Sequence, residues 1–205
     1  MRFLIRFLLM ISIIPVPVIA EEISYDFIDT SIWTQELSGI TPTEVYKGIS
    51  MTFSKSLSKH IHVLGSIIDS EQKNEDAFDS KSIGFGAHYS INKSTDIVLI
   101  YSHLKYHYIY RQAPFLVFRA YKGGRFNSLD AKILHQFSDD IEMSVGLIRD
   151  DEATLDLLYK GYSVGAKYRI NNNLSLRFEM GGLKDSKSTI SADKDFSEIG
   201  IRYNF

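Results

Sequence analysis

The chain has 205 residues, no cysteine and a formal net charge of −2. That excludes disulfide staples, thiolate metal sites and lipid attachment through an N-terminal cysteine, and it speaks against nucleic acid as a partner. A mean hydropathy of −0.08 does not separate a soluble protein from a membrane barrel, because a barrel wall shows lipid only every second residue.

Arg2 and Arg6 precede an apolar run from Phe7 to Ile14, and Val18-Ile19-Ala20 comes before Glu21-Glu22. A charged start, a short apolar middle and small residues one and three positions before the cut make residues 1–20 a secretory signal peptide, cleaved after Ala20. The alternative, an uncleaved anchor helix, is opposed by Pro15, Pro17 and the shortness of the apolar stretch. Losing Arg2 and Arg6 takes the net charge from −2 to −4. Residues 21–205 suit one exported domain, and no later segment approaches the roughly 18 apolar residues of a spanning helix. If that domain sits in a membrane, it does so as a closed sheet.

Ten strands are expected: 23–33, 45–54, 60–68, 80–91, 96–108, 125–137, 141–149, 159–169, 174–182 and 196–205. The alternation is clearest at Ile83, Phe85, Ala87 and Tyr89, at Tyr162, Val164, Ala166 and Tyr168, at Leu174, Leu176, Phe178 and Met180, and at Ile199, Ile201, Tyr203 and Phe205. Each run opposes a greasy face to a polar one. The first strand changes face near Phe27-Ile28, as a bulge would make it do, and the fifth is apolar on both faces near its start. Eight strands is the alternative count. Short turns at 55–59, 92–95, 138–140 and 171–173 alternate with longer loops at 34–44, 69–79, 109–124, 150–158 and 183–195. That asymmetry matches short periplasmic turns and longer outer loops.

A weak repeat links Ser50-Met51-Thr52-Phe53, Gly86-Ala87-His88-Tyr89, Gly165-Ala166-Lys167-Tyr168 and Gly200-Ile201-Arg202-Tyr203, with Leu134-His135-Gln136-Phe137 a looser copy. Its aromatics fall just before a turn or the chain end, so Phe53, Tyr89, Phe137, Tyr168, Tyr203 and Phe205 are expected to form a girdle at one membrane interface. Soluble sandwiches alternate too, but nothing in them requires aromatics at one level. The fold class is therefore an all-β, transmembrane, antiparallel up-and-down barrel.

The ending Gly200-Ile201-Arg202-Tyr203-Asn204-Phe205 resembles the C-terminal signature of outer-membrane barrels. The stretches Tyr25–Asp29 and Ser90–Ile97 resemble the small-barrel group that includes OmpA- and OmpX-like proteins and the diffusible-signal-regulated barrels. The resemblance implies an outer-membrane location, handling by the barrel assembly machinery, and closure of the last strand on the first. It implies no particular activity, since such barrels include structural proteins, adhesins, pores and lipid-modifying enzymes.

Asp130, Lys132, Glu142, Lys167, Arg177, Glu179, Glu198 and Arg202 fall on the inward faces. They read first as a salt-bridged core filling a narrow lumen and second as a charged constriction in a small pore. His60 and His62 could chelate a metal, and His88-Tyr89-Ser90 resembles the His-x-Ser of a lipid A deacylase. Without a third ligand or a carboxylate in a recognisable pattern, each histidine reads as a lumen residue. No catalytic, cofactor or metal site is assigned. The basic and apolar stretch carrying Arg111, Phe115, Phe118, Arg119, Tyr121 and Lys122 reads either as a surface loop contacting lipopolysaccharide or as an extension of the sixth strand. The expected function is a structural or interaction role at the cell surface, by a monomeric barrel in outer-membrane lipid. A passive pore is the first alternative and a lipid-modifying enzyme the second.

Overall fold

The computed structural model describes residues 23–38, 44–72, 77–111, 119–152, 157–187 and 193–205. The export segment and its cleavage site lie outside the described residues. Ten antiparallel strands follow in order: β1 (Phe27–Ser38), β2 (Glu44–Ser58), β3 (Ile61–Gln72), β4 (Ala77–Asn92), β5 (Thr95–Arg111), β6 (Arg119–Gln136), β7 (Ile141–Glu152), β8 (Leu157–Arg169), β9 (Leu174–Asp185) and β10 (Asp193–Asn204). Each pairs with its sequence neighbours, and β10 pairs with β1 from Phe27↔Asn204 to Ser38↔Asp193, closing the barrel. The count of ten disposes of the eight-strand alternative.

Alternation decides which way each side chain faces. On β10, Ile199, Ile201 and Tyr203 are about half exposed, while Glu198 and Arg202 between them reach partners inside the barrel. The same rule exposes Ile32, Ile83, Phe85, Leu147 and Tyr162 around the wall. An apolar surface this continuous is stable against lipid and not against water.

The inner turns are short and chemically specified. Asn92 Oδ1 accepts the Ser94 N–H at 2.8 Å, and Asn171 Oδ1 accepts from Asn173 and Leu174 at 3.0 and 2.9 Å. Asx turns of this kind replace the backbone ladder where the chain reverses. Register shifts occur only beside turns, at Ser56/Ser58 and Ser90/Asn92, among the described pairings.

Three expectations need correction. β1 runs through Phe27 and Ile28 in unbroken register with both neighbours, so there is no bulge; Phe27 faces inward because the Arg202 guanidinium lies 3.7 Å over its ring. β2 continues to Ser58, which places the first turn later than 55–59. The outer loops are much shorter than expected, because the strands keep pairing beyond the apolar belt, where charged residues such as Glu36 and Glu71 hide the period of two from a hydrophobicity reading. In particular β5 and β6 pair to Arg111↔Arg119. Arg111, Arg119, Tyr121 and Lys122 therefore lie on strands, as the strand-extension reading had it, while Phe115 and Phe118 lie outside the described residues.

The closing seam is pinned at its inner end by Asp26. Its carboxylate accepts from Lys55 Nζ at 2.5 Å and from the Ser56 N–H at 2.6 Å, and its carbonyl accepts from Phe205. The hydrogen bonds from Lys55 and Ser56 hold the Asp26 carboxyl down from 3.8 to about 2. A depressed carboxylate contributes stability above its unfolded pKa and loses it as pH falls through the folded one. Stability should therefore fall by an extra increment between about pH 4 and pH 2. In D26N that increment should vanish, which urea midpoints of the two proteins across the window would check.

Candidate functional site: the barrel lumen

The lumen is filled in three tiers. At the inner end Tyr25, just before β1, turns into the barrel and stacks on His88 at 3.9 Å and on His62 at 4.8 Å between ring centroids. Its hydroxyl donates to Asp96 Oδ2 at 2.7 Å. Burial, then the hydrogen bond to Asp96, pushes the Tyr25 hydroxyl well above the usual phenol range and keeps it protonated. His62 fits because its register partner is Gly86: a Cβ there would lie 1.9 Å from His62 Nε2.

The middle tier is ionic. Lys132 Nζ on β6 donates to Glu179 Oε1 on β9 at 2.6 Å, a contact between strands that are not neighbours and hence a chord through the lumen. Lys132 also lies 3.1 Å from Asp130. Arg177 donates to Glu179 and, at 3.0 Å, to Glu198 on β10, and lies 3.5 Å from Asp29 on β1. Arg202 grips Asp29 with two hydrogen bonds of 2.8 and 2.7 Å, the bidentate geometry that suits a guanidinium. Lys167 donates to Glu142 at 2.7 Å on the β7–β8 wall. All eight sequence-selected charges thus face inward and each has an ionic partner. Asp29, which joins Arg202 to Arg177, escaped selection because only the closing register sets it beside Arg202.

The outer tier is apolar. Trp33, Leu37, Tyr46, Phe78, Tyr106, Phe126, Tyr159 and Leu183 form one buried cluster inside the barrel. Tyr106 donates to Glu152 and lies over Gly124, whose missing Cβ leaves it room. Lys194 sets its ammonium 3.6 Å over the Tyr159 ring and 4.2 Å over Phe126. Neither this cap nor the Tyr25 stack was anticipated. The signal for both was an inward aromatic or histidine in register with a glycine, which needs the strand pairing before it can be seen.

Two cavities flank the ionic tier, of about 220 Å³ below it and about 330 Å³ above it, and Lys132, Arg177, Glu179 and Glu198 wall both. These four charged side chains, with Thr52, Leu64 and Ile100 beside them, form the partition between the two. His60 is exposed in the turn while His62 is buried, and no cluster of three or more metal-binding side chains occurs among the described residues. His88 is engaged with Tyr25 and Ser90 is exposed at the inner rim, so the deacylase-like tripeptide does not assemble a site.

Of the expected girdle, Phe53, Tyr89, Tyr168, Tyr203 and Phe205 are exposed, with Phe53 stacked on Phe205 at 6.0 Å. Phe137 is half-buried against the edge of His135.

No family model matches the sequence, and no curated protein matches it. Solved structures do. The β domain of the Bordetella autotransporter BrkA superposes with a TM-score of 0.52 at 8% identity, over 87% of this chain and 98% of that one. The translocator domain of the autotransporter NalP from Neisseria meningitidis gives 0.51 at 11% identity, over 87% of each chain. The outer membrane protease OmpT from Escherichia coli gives 0.50 at 9% identity, over 89% and 98%. Identities this low speak for architecture alone, and these partners carry different activities on it. The chain has the closed ten-stranded fold of the outer-membrane β-barrels.

Proposed function

We propose that the protein is an integral outer-membrane barrel, exported by its N-terminal segment and folded by the barrel assembly machinery, with a structural or interaction role at the cell surface. It works as a monomer in contact with lipopolysaccharide, and it is not an enzyme. The ending Gly200–Phe205 and the stretch Ser90–Ile97 support kinship with the OmpA- and OmpX-like group. The observation that carries the reading is the partition: an aromatic cap, a cross-lumen ion-pair chain and a Tyr25 plug lie in series along one axis. A narrow barrel filled with paired charges and rings is a rigid post for its surface loops, and a poor conduit.

The rival reading is a passive pore, favoured by the two cavities that meet at the ionic tier. Planar-bilayer recording decides between them. The expected result is electrical silence from the refolded protein; regular conductance steps whose size changes in R177Q would establish the pore instead.

A further inference from the structure

The outer wall carries a row of cations that nothing in the lumen explains. Lys81 on β4 is in register with Lys105 on β5, which is in register with Arg125 on β6. All three are exposed. Cross-strand neighbours on one face stand about 5 Å apart at Cβ, and like charges so placed repel. No carboxylate among the described residues pairs with any of the three. The closest outward acids are Asp69 and Asp79, one outward step further along, where Asp79 sits 4.0 Å from His107, and Asp151 on β7, one inward step below Arg125, which sits 3.7 Å from Arg149.

The row also has a defined height. Lys81, Lys105 and Arg125 lie eleven, ten and eleven residues from the inner ends of their strands at Asn92, Thr95 and Gln136. A strand rising about 3.3 Å per residue at a tilt of about 40° climbs some 25 Å over that span, the thickness of a barrel's apolar band. The next row down is Ile83, His103 and Asn127, the last two hydrogen-bonded at 2.9 Å, and below it come Phe85, Tyr101 and Leu129, all exposed. The cations therefore stand where acyl chains give way to head groups. On the far side, β10 and β1 show Asp195 and Glu36 at comparable heights, and the other outward row of cations in register, Arg149, Lys160 and Lys184 on β7, β8 and β9, has acids beside it, with Asp151 3.7 Å from Arg149 and Asp193 3.3 Å from Lys184.

We propose that Lys81, Lys105 and Arg125 bind the phosphate of a phosphorylated outer-leaflet lipid, the head group of lipid A, with its acyl chains lying on Phe85, Tyr101 and Leu129. An anion in this position relieves the repulsion within the row, and arginine offers it a bidentate fork while the lysines supply point charges. The interface excludes enough water for those contacts to exceed their strength in bulk solvent. The proposal rests on the outer-membrane reading above and moves the lipid contact from the loops to the strand wall.

The test uses the protein refolded in detergent. Heat-modifiable gel migration first establishes a folded membrane barrel; its absence, with a soluble monomer, would overturn the outer-membrane reading and this site with it. Native mass spectrometry then compares bis-phosphorylated lipid A, dephosphorylated lipid A and inorganic phosphate. The expected result is selective binding of the phosphorylated lipid, weakened about tenfold or more in K81Q/K105Q/R125Q, since each variant position loses a charge-assisted contact to the phosphate. Binding should persist in the charge-preserving K81R/K105R and in the far-side variant E36Q/D195N. Equal binding of dephosphorylated lipid A, or wild-type binding by the triple glutamine variant, would overturn the site while leaving the barrel intact. Displacement of the lipid by millimolar inorganic phosphate would assign the row to a free anion instead.

Discussion

Replacing Glu179 with alanine is expected to cost the folded barrel about 3–5 kcal/mol, the penalty for stranding buried charge by removing one partner. Glu179 is 6% exposed and serves two cations, Lys132 at 2.6 Å and Arg177. Without it, Lys132 keeps only Asp130 at 3.1 Å on its own strand, and Arg177 must rely on Glu198 and Asp29. The chord across the lumen is lost altogether. Urea titration of the refolded protein would read the change, with Trp33, the single tryptophan, as a buried fluorescent reporter in the outer tier. Removing the connected charges together in D130N/K132M/E179M should recover part of the loss, because no lone charge is then left on β6 and Arg177 keeps Glu198 and Asp29. If E179A unfolds at the wild-type urea concentration, the ionic tier contributes nothing to stability and the lumen is wetter than its ion pairs imply.

The difference between what could and could not be seen in the sequence has a physical cause. Alternation is local, so Ile199, Ile201 and Tyr203 announced a strand and assigned Glu198 and Arg202 to the lumen without any knowledge of neighbours. Partnership is not local. Arg202 meets Asp29 across 173 residues of chain, and Lys132 meets Glu179 across two intervening strands. The Tyr25 plug depends on His62 and His88, which the sequence shows as unremarkable lumen residues. The row of Lys81, Lys105 and Arg125 is equally invisible until β4, β5 and β6 are set in register. The outer halves of the strands were misjudged for a different reason. Above the apolar belt the outward residues become charged, so Glu36 and Glu71 read as loop although the backbone ladder continues through both.

Substituting valine for Gly200 is expected to abolish the folded barrel. Gly200 faces inward on β10, in register with Ser31 of β1, at the seam where the last strand meets the first. A Cβ there would lie 2.3 Å from the Thr30 carbonyl oxygen and 2.6 Å from Ser31 Cα. Both are backbone atoms, so no rotamer change relieves the overlap and β1 must move away from β10. That displacement unpairs strand edges inside hydrocarbon, where each unsatisfied N–H or C=O costs several kcal/mol. The barrel then has no closed alternative, because the other nine ladders cannot satisfy those two edges. Gly65 on β3 is the control: it is also a strand glycine, but a Cβ there would meet nothing nearer than the Ser82 carbonyl at 3.6 Å, and G65A should change stability by no more than about 0.5 kcal/mol. On unheated gels G200V should migrate only as unfolded chain, while G65A should show the wild-type heat-modifiable band. A folded band from G200V would mean that β1 and β10 do not close on each other as tightly as their register requires.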